Sequence, residues 1–106
     1  RSLLVAIYEL GVEEIMVVAH SNCGACHMNG QDMKKLMLKH GIHQDVIDTI
    51  ALCGIDLDHW LEGFHDTEDS VRNTINTIRT HPLVPKDVNL HGYIIDSQTG
   101  KLTEVK

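Results

Sequence analysis

Apolar positions fall into blocks whose spacing predicts the elements. Residues 2–10 hold Leu3, Leu4, Val5, Ala6, Ile7 and Leu10, apolar nearly all round, which predicts a helix buried on most sides. Gly11 suits its C-terminal stop. Residues 14–19, EIMVVA, form a short continuous run rich in β-branched residues. That predicts a strand buried on both faces, as in a parallel sheet. Met33, Leu36 and Met37 recur at helical spacing within 32–40, and Val46, Ile47, Ile50 and Ala51 do so within 43–53. Gly41 and Gly54 end these two segments. Asp66 or Thr67 can cap the next helix, with Glu68 and Asp69 in its first turn, where the helix dipole favours acids. Val71, Ile75 and Ile78 form its apolar stripe, and Pro82 and Pro85 stop it.

The segment VNLHGYIID (88–96) reads as a second buried strand, SQTG as a turn, and KLTEV as an alternating, half-exposed edge strand. Helix, strand, helices, strand, hairpin strand is an α/β order. It predicts a mainly parallel central sheet flanked by helices, with a C-terminal antiparallel edge strand. At 106 residues the chain is expected to form one domain, 1–106.

Composition narrows the class of function. Hydrophobic residues make up 42% and charged residues 23%, ordinary for a globular protein. The formal net charge of −6, with both signs interspersed, argues against a nucleic-acid partner and against an anionic membrane surface. No apolar run approaches the length of a membrane span. Three cysteines are too few, and odd in number, for a disulfide framework, so reduced thiols and a cytoplasmic setting are expected. Cys53, at the end of an amphipathic segment, is expected in the core.

Candidate chemistry concentrates in VVAHSNCGACH, residues 17–27. Ligands gather at the carboxyl ends of strands in open α/β sheets, and His20 stands at such an end. Cys23 follows three residues on, and imidazole nitrogen and thiolate sulfur are favoured ligands of Zn²⁺. Gly24 permits close backbone approach. The residues themselves leave three readings open. One is a zinc site using His20 and Cys23. Another is a Cys23 nucleophile activated by histidine, which would need a third group to hold the base. The last is inert, buried cysteines beside an incidental histidine. Cys26 and His27 could enlarge a metal cluster. The plainer expectation makes Cys26 a small core residue on the following helix and His27 a solvated bystander.

HSNCGA after an apolar strand resembles the zinc-binding strand end of β-class carbonic anhydrases. RSLLVAIYELGVEEIMVVAH resembles the family's helix-then-strand approach to that site. DTEDSVRNTINTIRTHPLVPKDVNLHGYIIDSQTGKL resembles its closing section, where a helix ends in a His-Pro turn before a V-x-L-H-G-x-x-x-D strand and a T-G-x-L hairpin. The three segments occur in the family's order, and the compact microbial members are the most similar. Ala19 stands where glycine is common and Asn22 where many compact members carry aspartate, but neither position is a ligand in the family.

The resemblance implies reversible hydration of carbon dioxide to bicarbonate, with Zn²⁺ as cofactor, His20 and Cys23 as metal ligands, and a homodimer or larger homo-oligomer. It also implies something these residues do not contain. The family draws its first zinc cysteine, and an Asp-Arg dyad, from a C-x-D-x-R segment on an earlier strand. By that comparison the first strands are missing, no catalytic residue lies in this chain, the dyad is expected upstream of Arg1, and residues 1–106 alone are expected to be inactive. Related scaffolds act on carbon disulfide or carbonyl sulfide. A non-catalytic relative or interaction module that keeps residual metal binding is the further alternative.

Overall fold

Strand β1 (Glu14–His20) pairs in parallel with β2 (Asn89–Ile95), Glu14 opposite Asn89 and His20 opposite Ile95. Strand β3 (Leu102–Val105) returns antiparallel to β2, giving the order β1-β2-β3. This is the expected sheet, with its parallel pair and its antiparallel edge strand. The computed structural model describes all residues, Arg1–Lys106. They form two compact units: Arg1–Cys23 with Asp66–Lys106, and Gly24–His65.

In the first unit, helices α1 (Ser2–Leu10) and α5 (Thr67–Thr80) supply the layer against the sheet. Ile7, Ile15, Ile78 and Val84 form one core cluster, and Val71, Ile75 and Val105 another. The stripe predicted for α5 is buried as expected. Its cap is Asp66, whose carboxylate accepts a hydrogen bond from the Asp69 amide at 2.8 Å. Gly11 closes α1 in the left-handed conformation, φ 67°, with its amide donating to the Ala6 carbonyl.

Two burial expectations fail here. Strand β1 is buried on one face only: Ile15, Val17 and Ala19 pack against the cores, whereas Met16 and Val18 are 56% and 48% exposed. Their side chains alternate across the sheet, and the helices α1 and α5 meet only one side. Helix α1 buries Ile7 alone, with Val5, Tyr8 and Leu10 exposed, because one face of a helix suffices to close this core.

The second unit holds α2 (Gly30–Lys39), α3 (Gln44–Leu52) and the single turn α4 (Leu57–Trp60), too short for periodicity to reveal. Asn29 caps α2 through the Asp32 amide, and Asp56 caps α4 through the His59 amide. Lys34 bridges to Asp58 at 2.7 Å. At Gly30 an added β-carbon would meet the Asp58 carbonyl oxygen at 2.5 Å, so only glycine admits this approach of α2 to α4. Cys53 is the exposed C-cap of α3, not a core residue. The apolar face of α3 is served by Ile47, which is buried.

Candidate metal centre

His20 ends β1, and the turn that follows is tied to the neighbouring strand. The Ser21 amide donates to the Ile95 carbonyl at 3.0 Å, carrying the parallel ladder one residue past the strand. The Ser97 amide donates to the Ser21 hydroxyl at 3.0 Å, and the two serine hydroxyls lie 3.1 Å apart. The turns after β1 and after β2 are therefore stitched side by side at the carboxyl edge of the sheet. Asn22 then takes a left-handed φ of 55°, which asparagine tolerates better than most residues, and Cys23 follows.

The His20 ring is oriented by its own turn. Its Nδ1 lies 2.9 Å from the Ser21 carbonyl oxygen. A carbonyl only accepts, so Nδ1 is the donor and Nε2 is the nitrogen left outside this bond. The bond at Nδ1 is of the kind that metal-ligating histidines use to orient the ring and present Nε2. Cys23 is a free, half-buried thiol. The donors are right in kind for zinc: one imidazole and one thiol from a single turn. No group of three or more His, Cys, Asp or Glu side chains placed to hold a metal ion occurs in the chain.

Cys26 and His27 find their partners within Gly24–His65. Cys26 precedes α2 instead of lying on it, and forms a parallel bridge with Phe64. This pairing needs hydrogen bonds that an α-helical turn would not leave free. The His27 amide donates to the Phe64 carbonyl at 2.7 Å, and the Gly63 amide to the Met28 carbonyl at 2.8 Å. The Cys26 thiol points at the His65 carbonyl, 3.7 Å away. His27 is solvent-exposed, as expected, but its ring is not isolated. Its Nδ1 stands 3.2 Å from Nδ1 of His65. His65 carried no signal in the sequence, since 38 residues separate the partners.

The carbonic anhydrase family model matches residues 1–102. The Bacillus subtilis carbonic anhydrase homologue YvdA is 42% identical over 105 residues, covering 99% of this chain and 53% of that protein. The crystal structure of β-carbonic anhydrase isoform I from Trichomonas vaginalis superposes with a TM-score of 0.85 at 39% identity, over 98% of this chain and 56% of the other. Carbon disulfide hydrolase of Acidithiobacillus thiooxidans is 26% identical over 108 residues, covering 96% of this chain and 50% of that protein. A sheet with this parallel pair and antiparallel edge, and a His-x-x-Cys turn at its carboxyl edge, belongs to an α/β protein of the carbonic anhydrase type. The chain belongs to the carbonic anhydrase family, in its β class. It spans about half the length of the relatives it matches.

Proposed function

We propose that His20 and Cys23 are two of the three protein ligands of a zinc centre that reversibly hydrates carbon dioxide to bicarbonate. The third ligand and the Asp-Arg dyad would come from residues outside Arg1–Lys106. The observation that carries this reading is the His20 ring, whose Nδ1 proton is committed to the Ser21 carbonyl, leaving Nε2 for a metal. Family membership and the His-x-x-Cys turn at the strand end support it. When bound, zinc supplies Lewis acidity and brings the pKa of water toward neutrality. The protein's own part is positional. The Ser21 carbonyl aims the imidazole, and the Ser21–Ser97 stitch fixes the turn that carries Cys23.

The exposed Met16 and Val18 lie on the same sheet face as His20, by strand alternation. Strand β1 also has one unpaired edge. Both features suit a homo-oligomer or a further segment that covers this side. No helix is long and apolar enough to cross a membrane, and the reduced thiols fit a cytoplasmic protein.

The test is zinc content and carbon dioxide hydration of the protein encoded by the whole reading frame around these residues, beside Cys23→Ser and residues 1–106 alone. One zinc per chain, with zinc and hydration lost together in Cys23→Ser, is the expected result. A metal-free protein whose activity is blocked by thiol alkylation would instead assign Cys23 as a nucleophile. Hydration by residues 1–106 alone would defeat the claim that the site is shared with other residues. The similarity to carbon disulfide hydrolase favours one second reading, a hydrolase of carbon disulfide or carbonyl sulfide on the same scaffold. Sulfide release from carbon disulfide by the same preparation distinguishes it.

A further inference from the structure

The geometry points to a second metal-binding site on this chain, a two-histidine chelate formed by Nδ1 of His27 and Nδ1 of His65 for a divalent ion such as Ni²⁺, Cu²⁺ or Zn²⁺. The two nitrogens are 3.2 Å apart, with ring centroids 5.5 Å apart and planes tilted by 45°. Two imidazole nitrogens bound to one tetrahedral ion at 2.0–2.1 Å stand roughly 3.3 Å apart. The observed 3.2 Å lies between that spacing and the roughly 2.9 Å of right-angle ligands on a tetragonal Ni²⁺ or Cu²⁺ ion.

Without metal, the pair shares one proton: one Nδ1–H donates and the other Nδ1 accepts. An ion would take the place of that proton. The ring that had donated moves its proton to Nε2, both rings remain neutral, and each Nδ1 gives its lone pair to the metal. Each ring must also rock so that its lone pair leaves the line between the nitrogens. Both side chains are exposed, so nothing buried has to move and the ion has a direct approach.

The backbone beneath the pair is held more firmly than loops usually are. The Cys26–Phe64 bridge, the 2.7 Å bond from the His27 amide to Phe64 and the bond from Gly63 to Met28 clamp the two segments together. His27 itself sits at φ 65°, in the left-handed region that histidine adopts more readily than most residues, and the flanking bonds fix it there. Preorganisation of this kind removes much of the ordering cost of chelation. No third side-chain donor completes the set, so water fills the remaining positions. Imidazole donors favour Zn²⁺, Cu²⁺ and Ni²⁺ over the oxygen-seeking Mg²⁺ and Ca²⁺. The site lies within Gly24–His65 and shares no donor with His20 and Cys23.

The test is a Ni²⁺ titration of the protein followed by NMR of the histidine rings, repeated on His27→Asn and on His65→Asn. Asparagine tolerates the left-handed backbone at 27, and His65→Asn leaves His27 in place, so at least one variant keeps the fold. The expected result is that the His27 and His65 rings broaden together, before His40, His43, His59, His81 and His91, whatever happens at His20. Each variant should bind at least about tenfold more weakly, the loss that even outer partners of a metal can produce. Broadening spread evenly over His40, His43, His59, His81 and His91, or an affinity unchanged in both variants, would overturn the site and leave the pair as a hydrogen bond only.

Discussion

Gly92 on β2 and Ile75 on α5 are packed so closely that a β-carbon on Gly92 would stand 2.6 Å from Ile75 Cδ1. It would also stand 2.7 Å from Val71 Cγ1. The helix lies directly over the central strand at the one residue without a side chain. Ile75 could swing its terminal methyl aside, but Val71 is β-branched and only 2% exposed, so it has nowhere to go. Gly92→Ala is expected to cost about 1–3 kcal/mol by overpacking. Chemical denaturation reads this directly. Adding Ile75→Val should recover only part of the loss, because Val71 remains; full recovery would show that Ile75 alone sets the contact.

Gly63 is tighter still, and the obstacle there is backbone. An added β-carbon would fall on the Ala25 carbonyl oxygen, well inside contact distance, and 2.8 Å from Met28 Cβ. That carbonyl accepts from the Phe64 and Met28 amides, so it cannot turn away without breaking both bonds. Gly63→Ala should therefore separate the 25–28 and 63–65 segments, at a cost of about 3 kcal/mol. Hydrogen exchange is the informative readout. The His27 amide, bonded to Phe64, should lose protection while the Ser21 amide on the sheet keeps it.

The turn between β2 and β3 gives a pH-dependent prediction. The amides of Thr99 and Gln98, in that order, hold the Asp96 carboxyl below its ordinary value of 3.8 by donating to Oδ1 at 2.9 and 2.8 Å. A carboxylate favoured in the folded state stabilises fully above the unfolded pKa, and the contribution is lost as pH falls through the folded value. Asp96→Asn keeps an acceptor but removes the charge. Wild type should be the more stable of the two at neutral pH, and the gap should close as pH drops below the ordinary carboxylate range. A gap that stays constant into acid would show that shape, not charge, makes the turn.

These residues also show what the sequence could reveal. Periodicity located α5 because burial there repeats at 3.6 residues, continuous apolar runs located both parallel strands, and Asp66 announced its helix by capping chemistry. His20 and its turn were legible because the strand end is where such sites form. Periodicity could not say how many sides would be covered. Met16, Val18 and Leu10 are apolar and exposed, since the helices of this unit meet only one face of the sheet. Nor could it foresee the Cys26–Phe64 bridge or the His27–His65 pair, which depend on two irregular segments meeting across a long sequence separation.

Ser21 tests whether the proposed centre depends on its support. Its hydroxyl accepts from the Ser97 amide and meets the Ser97 hydroxyl, while its carbonyl, a backbone group, orients His20. Ser21→Ala removes the stitch and spares the carbonyl. One hydrogen bond of this kind is worth about 1 kcal/mol, so the fold should survive with a modest loss of stability. Metal binding should suffer more than stability does. The carbonyl is aimed only as well as its turn is fixed, and losing an outer support of a ligand typically weakens metal binding about 10–100-fold. The measurement is a zinc competition titration of Ser21→Ala beside Ser97→Ala, which removes a hydroxyl but leaves the Ser97 amide bonded to Ser21 Oγ. A clear loss in Ser21→Ala and a smaller one in Ser97→Ala is expected. Equal zinc affinity in wild type and Ser21→Ala would mean that the His20 ring is held by its own rotamer, and that the serine pair serves the sheet edge alone.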